Sequence, residues 1–206
     1  MLYRRILSTF DIKIVLVLIP RVVSIFFVIF QVLGMASYPG GTIHDLSTNG
    51  YSFTSNFFSD MGAYQARNGE PNYLSMIFFS ISLILVGGTF ALYYLVLPKV
   101  FGNNNRNYYL SWIGTIFALG GSICLIGTGL TPTDLVFDLH VFFANNIFHC
   151  FLITSFFYSV VIFDTDILEK RYAFGYVVFF ISILLYVGVL QFGPSVSTGK
   201  SELIFQ

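Results

Sequence analysis

Leu139 to Phe163 reads LHVFFANNIFHCFLITSFFYSVVIF, a run without Asp, Glu, Lys or Arg that exceeds the roughly 20 apolar residues a helix needs to cross a bilayer. Its few polar residues lie inside the run and not only at its ends. Asp138, Asn145 and His149 stand at offsets of zero, seven and eleven, which places them on one helical face with Asn146 beside it. At 1.5 Å per residue His149 sits about 16 Å below Asp138, close to the bilayer midplane. Polar side chains at that depth face a bundle interior or a water-filled cavity, where they find partners. Asp138, Asn145, Asn146 and His149 are therefore candidate lipid- or ligand-binding residues. The plainer reading is an interhelical hydrogen-bond knot, with Gln31, Ser80, Ser182 or Tyr186 as partners on other helices.

Four further runs have the same character: 14–38, 73–97, 108–130 and 172–192, each bounded by Pro, Gly or charged residues. The expectation is an all-α polytopic bundle of five complete spans, one domain over residues 1–206. Ser201 to Gln206, SELIFQ, reads as the start of a truncated sixth. The first run follows Arg4 and Arg5 and ends in Gly34-Met35-Ala36-Ser37, which imitates a secretory signal, but it is too long for one and reads as a retained span. Composition agrees. Of 206 residues 56% are hydrophobic and 10% charged, and the mean hydropathy of +0.79 lies outside the range of soluble domains. Ten Lys and Arg balance ten Asp and Glu, so no basic field is available to attract nucleic acid. Cys124 and Cys150 both fall within apolar runs and read as small buried hydrophobes.

Arg4, Arg5, Lys13, Arg21, Lys99, Arg106, Lys170 and Arg171 fall on one side of these spans, against Arg67 and Lys200 on the other. By the positive-inside rule the N terminus is expected in the cytoplasm and the long connection 39–72 outside. In the third span Gly114, Ala118 and Ser122 recur every four residues, and in the second Ser80, Gly87 and Ala91 share a face. Both stripes allow close backbone approach between helices, within one bundle before any homodimer. Tyr108, Tyr109 and Trp112 open the third span as interfacial anchors.

The 39–72 connection is long for a structureless loop and reads as a lid. Ser55 is expected to cap a short helix on which Phe57, Met61 and Tyr64 share a face. Asp60, before Gly62, suits a turn that binds backbone amides or a cation. The candidate catalytic residues are Ser59, Asp60, Asp134 and His140. His140 and His149 lie on opposite faces of a regular helix, so they cannot share one ion. No cofactor is expected; zinc held by His44, Asp60, Asp134, Asp138 and His140 is the alternative considered, without any short ligand spacing behind it.

Asn56-Phe57-Phe58-Ser59-Asp60-Met61-Gly62-Ala63, followed by Asn72 and a long span containing Gly87-Gly88, resembles an "S-[DE]-L-G, then a helix opening with Asn" pattern. Gly129-Leu130-Thr131-Pro132-Thr133-Asp134, with His140 and Ala144 downstream, resembles a "G-x-x-P-x-D, then His, then Ala" segment. Together they are similar to the domain-of-unknown-function 998 family of multi-pass membrane proteins, itself similar to the damage-regulated autophagy modulator type. Met61 stands in place of the usual Leu, and Thr131 in place of the Phe common before Pro. The resemblance implies about six helices and a shared outer-mouth constellation of Ser59, Asp60, Gly62, Pro132, Asp134 and His140. It implies no reaction.

Three functional readings follow. The first is a non-enzymatic protein that binds membrane lipids or serves as a subunit beside other membrane proteins. The second is an intramembrane lipid hydrolase in which Asp60, Asp134 and His140 bind metal or activate water, with Ser59 as accessory donor. The third is a small-molecule or proton pathway through Asn145, Asn146 and His149.

Overall fold

The computed structural model describes residues 12–193. Arg4, Arg5, Lys200 and the SELIFQ segment lie outside the described residues. The five expected spans appear as five helices: α1 Ile14–Ser37, α2 Tyr73–Val96, α3 Asn105–Leu130, α4 Phe137–Asp164 and α5 Lys170–Phe192. All are long and apolar enough to cross a membrane. The chain is an all-α, multi-pass membrane protein.

Local chemistry sets the helix ends. Helix α1 opens with a wide π turn, Ile14–Leu18, closed by Ile19 N–H on the Ile14 carbonyl. Pro20 follows at once; it brings no donor and crowds the preceding turn, which the wider turn accommodates. Helix α2 tightens into a 3₁₀ turn, Leu97–Phe101, at Pro98. Helix α3 begins three residues earlier than its apolar run because the Asn104 carboxamide accepts from Asn107 N–H, capping a polar first turn.

Packing runs in sequence order: α1 on α2, α2 on α3, α3 on α4 and α4 on α5. Helices α1 and α5 stand at the two ends of this row and are the least buried, whereas half of the α3 window is inside. The small-residue stripes of α2 and α3 make close seams within the bundle. At Gly87 a Cβ would come within 2.8 Å of the Ser122 carbonyl oxygen, and at Gly114 within 3.0 Å of the Tyr158 ring. Ala118 and Ser122 are buried between these contacts. Thr115 donates to the Tyr94 carbonyl and pairs with the Tyr158 hydroxyl at 2.8 Å, which joins α2, α3 and α4. At the end away from the 39–72 loop, Arg106 lies 3.7 Å from Asp164. Cys124 and Cys150 are free thiols.

Candidate functional site

The 39–72 loop is a folded cap held by its own polar residues. Gly40 and Gly41 adopt positive φ, and a Cβ on Gly41 would lie 2.4 Å from Asn68 N, so only glycine lets the two strands of the loop meet there. The short helix expected after Ser55 is a 3₁₀ turn, Phe58–Gly62. Ser55 does not cap it. The Asp60 carboxylate reaches back to Phe57 N–H at 3.0 Å, so the acidic residue inside the turn, not the hydroxyl before it, satisfies the free amide.

Asp60 also accepts from Asn56 at 3.0 Å and from the Arg67 guanidinium at 2.8 Å, and it is buried. Arg67 N–H donates to the Tyr38 hydroxyl. Tyr51, whose hydroxyl donates to the Phe57 carbonyl, is pushed up to about 12 by burial and the nearby Asp60 charge, so it stays a neutral phenol. The Asn72 carboxamide donates to the Asp60, Met61 and Ala63 carbonyls, tying the 3₁₀ turn to the start of α2. Met61 is fully buried, with its sulfur near Gly34 of α1. Gly62 sits so close to Phe79 of α2 that a Cβ would fall 2.5 Å from the ring. The loop is thereby seated on one end of the bundle.

The second polar cluster clasps this cap from the α3–α4 connection. Asp134 accepts Tyr64 N–H at 2.8 Å and Gln65 N–H at 2.9 Å, one backbone amide on each oxygen. His140 Nδ1 lies 2.6 Å from the Thr131 carbonyl, bridging the turn into α4. His140 is 3% exposed, and its Nε2, also buried, has no hydrogen-bond partner among the described residues.

Beneath the cap lies a cavity of about 910 Å³. All five helices contribute to its wall: Phe27 of α1, Phe79 and Phe90 of α2, Leu125 of α3, Phe151 of α4 and Ile183 of α5 are examples. Phe57, Phe58, Ser59 and Thr133 close its loop end, and His140 and Asn145 are its polar groups along α4. From Phe137 to Phe151 the α4 wall extends about 21 Å, more than half of the roughly 30 Å hydrocarbon core. A space of this size, apolar with a few polar groups, has the character of a small-molecule site.

The four candidate catalytic residues thus divide. Ser59 and His140 line the cavity, whereas Asp60 and Asp134 hold the loop and are not part of the wall. Among the described residues no three His, Cys, Asp or Glu side chains form a group able to hold a metal ion. His44 and Asp138 are exposed. The polar face expected on α4 divides as well. Asn145 lines the cavity, but Asn146 donates to the Phe142 carbonyl and His149 Nδ1 meets the Asn145 carbonyl, bonds within one helix. Two of the partners considered for an interhelical knot bond elsewhere: Gln31 donates to Ser82 of α2, and Ser182 to the Val178 carbonyl of its own helix. A polar residue four positions after a carbonyl can turn back onto its own helix, which spacing on a helical wheel does not reveal.

Sequence reasoning missed Asn56 and Arg67 as partners of Asp60. The only available signal was the Asn56/Asp60 spacing of four. The contributions of α1 and α5 to the cavity carried no sequence signal beyond apolarity.

A family model described as "Protein of unknown function (DUF998)" matches residues 31–205. No curated protein and no solved structure matches the chain.

Proposed function

We propose that this chain, which belongs to the DUF998 family, is a non-enzymatic membrane protein that holds an amphipathic membrane lipid in the cavity beneath its loop. The observation that carries this reading is the roughly 910 Å³ space with an apolar wall, whose few polar lining residues include Ser59 and His140 near its loop end. The excess of positive residues at the opposite end supports a reading in which the loop end, and the head group, lie on the outer side of the membrane. Both segments that carry the family resemblance then serve one task. Asp60 and Asn72 fold the cap, Asp134 fastens it from the α3–α4 connection, and His140 braces that connection through the Thr131 carbonyl. A hydrolase that activates water between Asp60, Asp134 and His140 finds no support in this arrangement, because both acids are engaged by loop donors.

Ala144 lines the cavity one turn below His140, so Ala144→Trp places an indole in the ligand's path. In lipid nanodiscs, wild-type protein is expected to retain a stoichiometric amphiphile on extraction. Ala144→Trp should retain at least about tenfold less, with unchanged helical circular dichroism. Equal retention by both proteins would remove the cavity from the account.

A further inference from the structure

The outward side of α4 carries a polar pair that neither the cavity nor the loop employs. His149 stands 12 residues after Phe137 and 15 before Asp164, about 18 Å along the helix from its start and so near the bilayer midplane. Its Nδ1 meets the Asn145 carbonyl at 2.9 Å, and a carbonyl only accepts, so the proton is on Nδ1. In the neutral ring Nε2 is then a lone pair, an acceptor with no donor among the described residues. Unlike His140 Nε2 it is not enclosed: His149 is half-buried and this nitrogen keeps accessible surface. Asn146 lies one turn nearer the loop. Its carboxamide gives one N–H to the Phe142 carbonyl at 2.7 Å, in an exposed bond, and its second N–H has no partner among the described residues.

Asn146 and His149 are three residues apart and so share a helical face, together with Phe142, which is 57% exposed. The cavity lies on another side of the helix, lined by Val141, Ala144 and Phe148. Lipid tails bring no donor to a lone pair at the midplane, and head groups begin about 15 Å away. One face therefore presents one free donor and one free acceptor, which is the composition a two-fold interface requires. When residue i meets j, j meets i, and both bonds form together. A partner of different sequence has to supply two complementary groups of its own; a second copy already carries them. No Asp, Glu, Lys or Arg occurs between Asp138 and Asp164, so identical copies approach here without like-charge repulsion.

We infer that the occupant of this face is a second copy of the chain, packed α4 against α4 about a two-fold axis along the membrane normal. Asn146 of each copy donates its spare N–H to His149 Nε2 of the other. The two groups are offset by about 4.5 Å along the helix, a gap that a carboxamide and an imidazole span. The cavity, on its own side of α4, takes no part in the contact.

The test uses the whole chain in liposomes, labelled at its N terminus with one of two dyes, and reads association by energy transfer as the protein is diluted into lipid. Wild type should associate. In Asn146→Leu and in His149→Leu the midpoint should move to about tenfold higher protein density, since each substitution removes both bonds. The decisive arm mixes the two variants. An Asn146→Leu copy keeps its His149 and a His149→Leu copy keeps its Asn146, so the mixed pair rebuilds one bond and should associate about threefold more tightly than either variant with itself. A folding defect weakens the mixed pair along with its parents and does not imitate that recovery. Wild type that stays monomeric at every density, single variants that associate as wild type does, or a mixed pair no tighter than its parents would each overturn the second copy as the occupant.

Discussion

Asp60→Ala should release the 39–72 loop, raising the rate of tryptic cleavage at Arg67 about 100-fold in protein that is otherwise folded. The carboxylate is 5% exposed and accepts from Asn56, from Phe57 N–H and from the Arg67 guanidinium. Its removal leaves the Arg67 guanidinium and the Phe57 amide without this acceptor at once, and takes from the Asn56 carboxamide one of its two, the Gly41 carbonyl remaining. Breaking a buried ion pair from one side costs about 3–5 kcal/mol, and the lower figure applies because Arg67 keeps some contact with water. The loss falls on the cap, because the side-chain bonds of Asp60 go to Asn56, Phe57 and Arg67, all within the loop. Cleavage therefore reports local opening, whose population rises with the free energy lost. Asp60→Asn preserves one oxygen and the side-chain volume and should give an intermediate rate. Unchanged cleavage in Asp60→Ala would mean that the cap is held by its apolar contacts at Met61 and Gly62 alone.

Gly87→Leu should have the second large effect, at the opposite kind of contact. A Cβ at this position meets Ile126 Cγ1 at 2.7 Å and the Ser122 carbonyl oxygen at 2.8 Å. A side-chain carbon can swing away, but a carbonyl in the middle of α3 cannot, so the two helices must separate. The cost of such overpacking is at least about 3 kcal/mol, since a full branched side chain is added where a single carbon already clashes. In detergent, the midpoint of unfolding by SDS should fall well below that of the wild type. Gly88→Leu is the matched control, since nothing lies within 4 Å of a Cβ there. It should leave the midpoint nearly unchanged. Equal losses at both positions would mean that helix propensity, not the α2–α3 seam, decides the outcome.

The two substitutions also mark what the sequence discloses. Gly87 belongs to a small-residue stripe that can be read from a helical wheel, because its meaning depends on spacing within one span. The spans themselves are equally legible: each needs only an apolar run of sufficient length, and the discrepancies occur at ends such as Asn105, where a capped polar turn extends the helix, and Phe137, where α4 begins without a side-chain cap. The cap is different. Asp134 binds amides 69 and 70 residues away, and Asn72 binds carbonyls across a turn whose shape it helps to create. Such pairs are settled by tertiary closure. Asp60 and Asp134 are singled out by the sequence because acids near a membrane mouth are uncommon, but their residue type cannot distinguish a clamp from a catalyst. His140 is legible as a candidate; its free nitrogen is not, since that depends on Thr131 being folded back onto the ring. The cavity has no linear signature at all. Its wall is assembled from five helices whose lining residues are Phe, Leu, Ile and Val like those that face lipid.

The central claim is that a lipid chain occupies this interior space, and its location can be measured. A long-chain alcohol bearing a photoreactive diazirine near its methyl end, incorporated with the wild-type chain in nanodiscs and mapped by peptide mass spectrometry, should label Phe90, Phe151 and Phe179, which line the cavity away from the loop. Labelling confined to outward-facing residues such as Ile25, Phe174 and Leu185, with none on the cavity wall, would contradict the account.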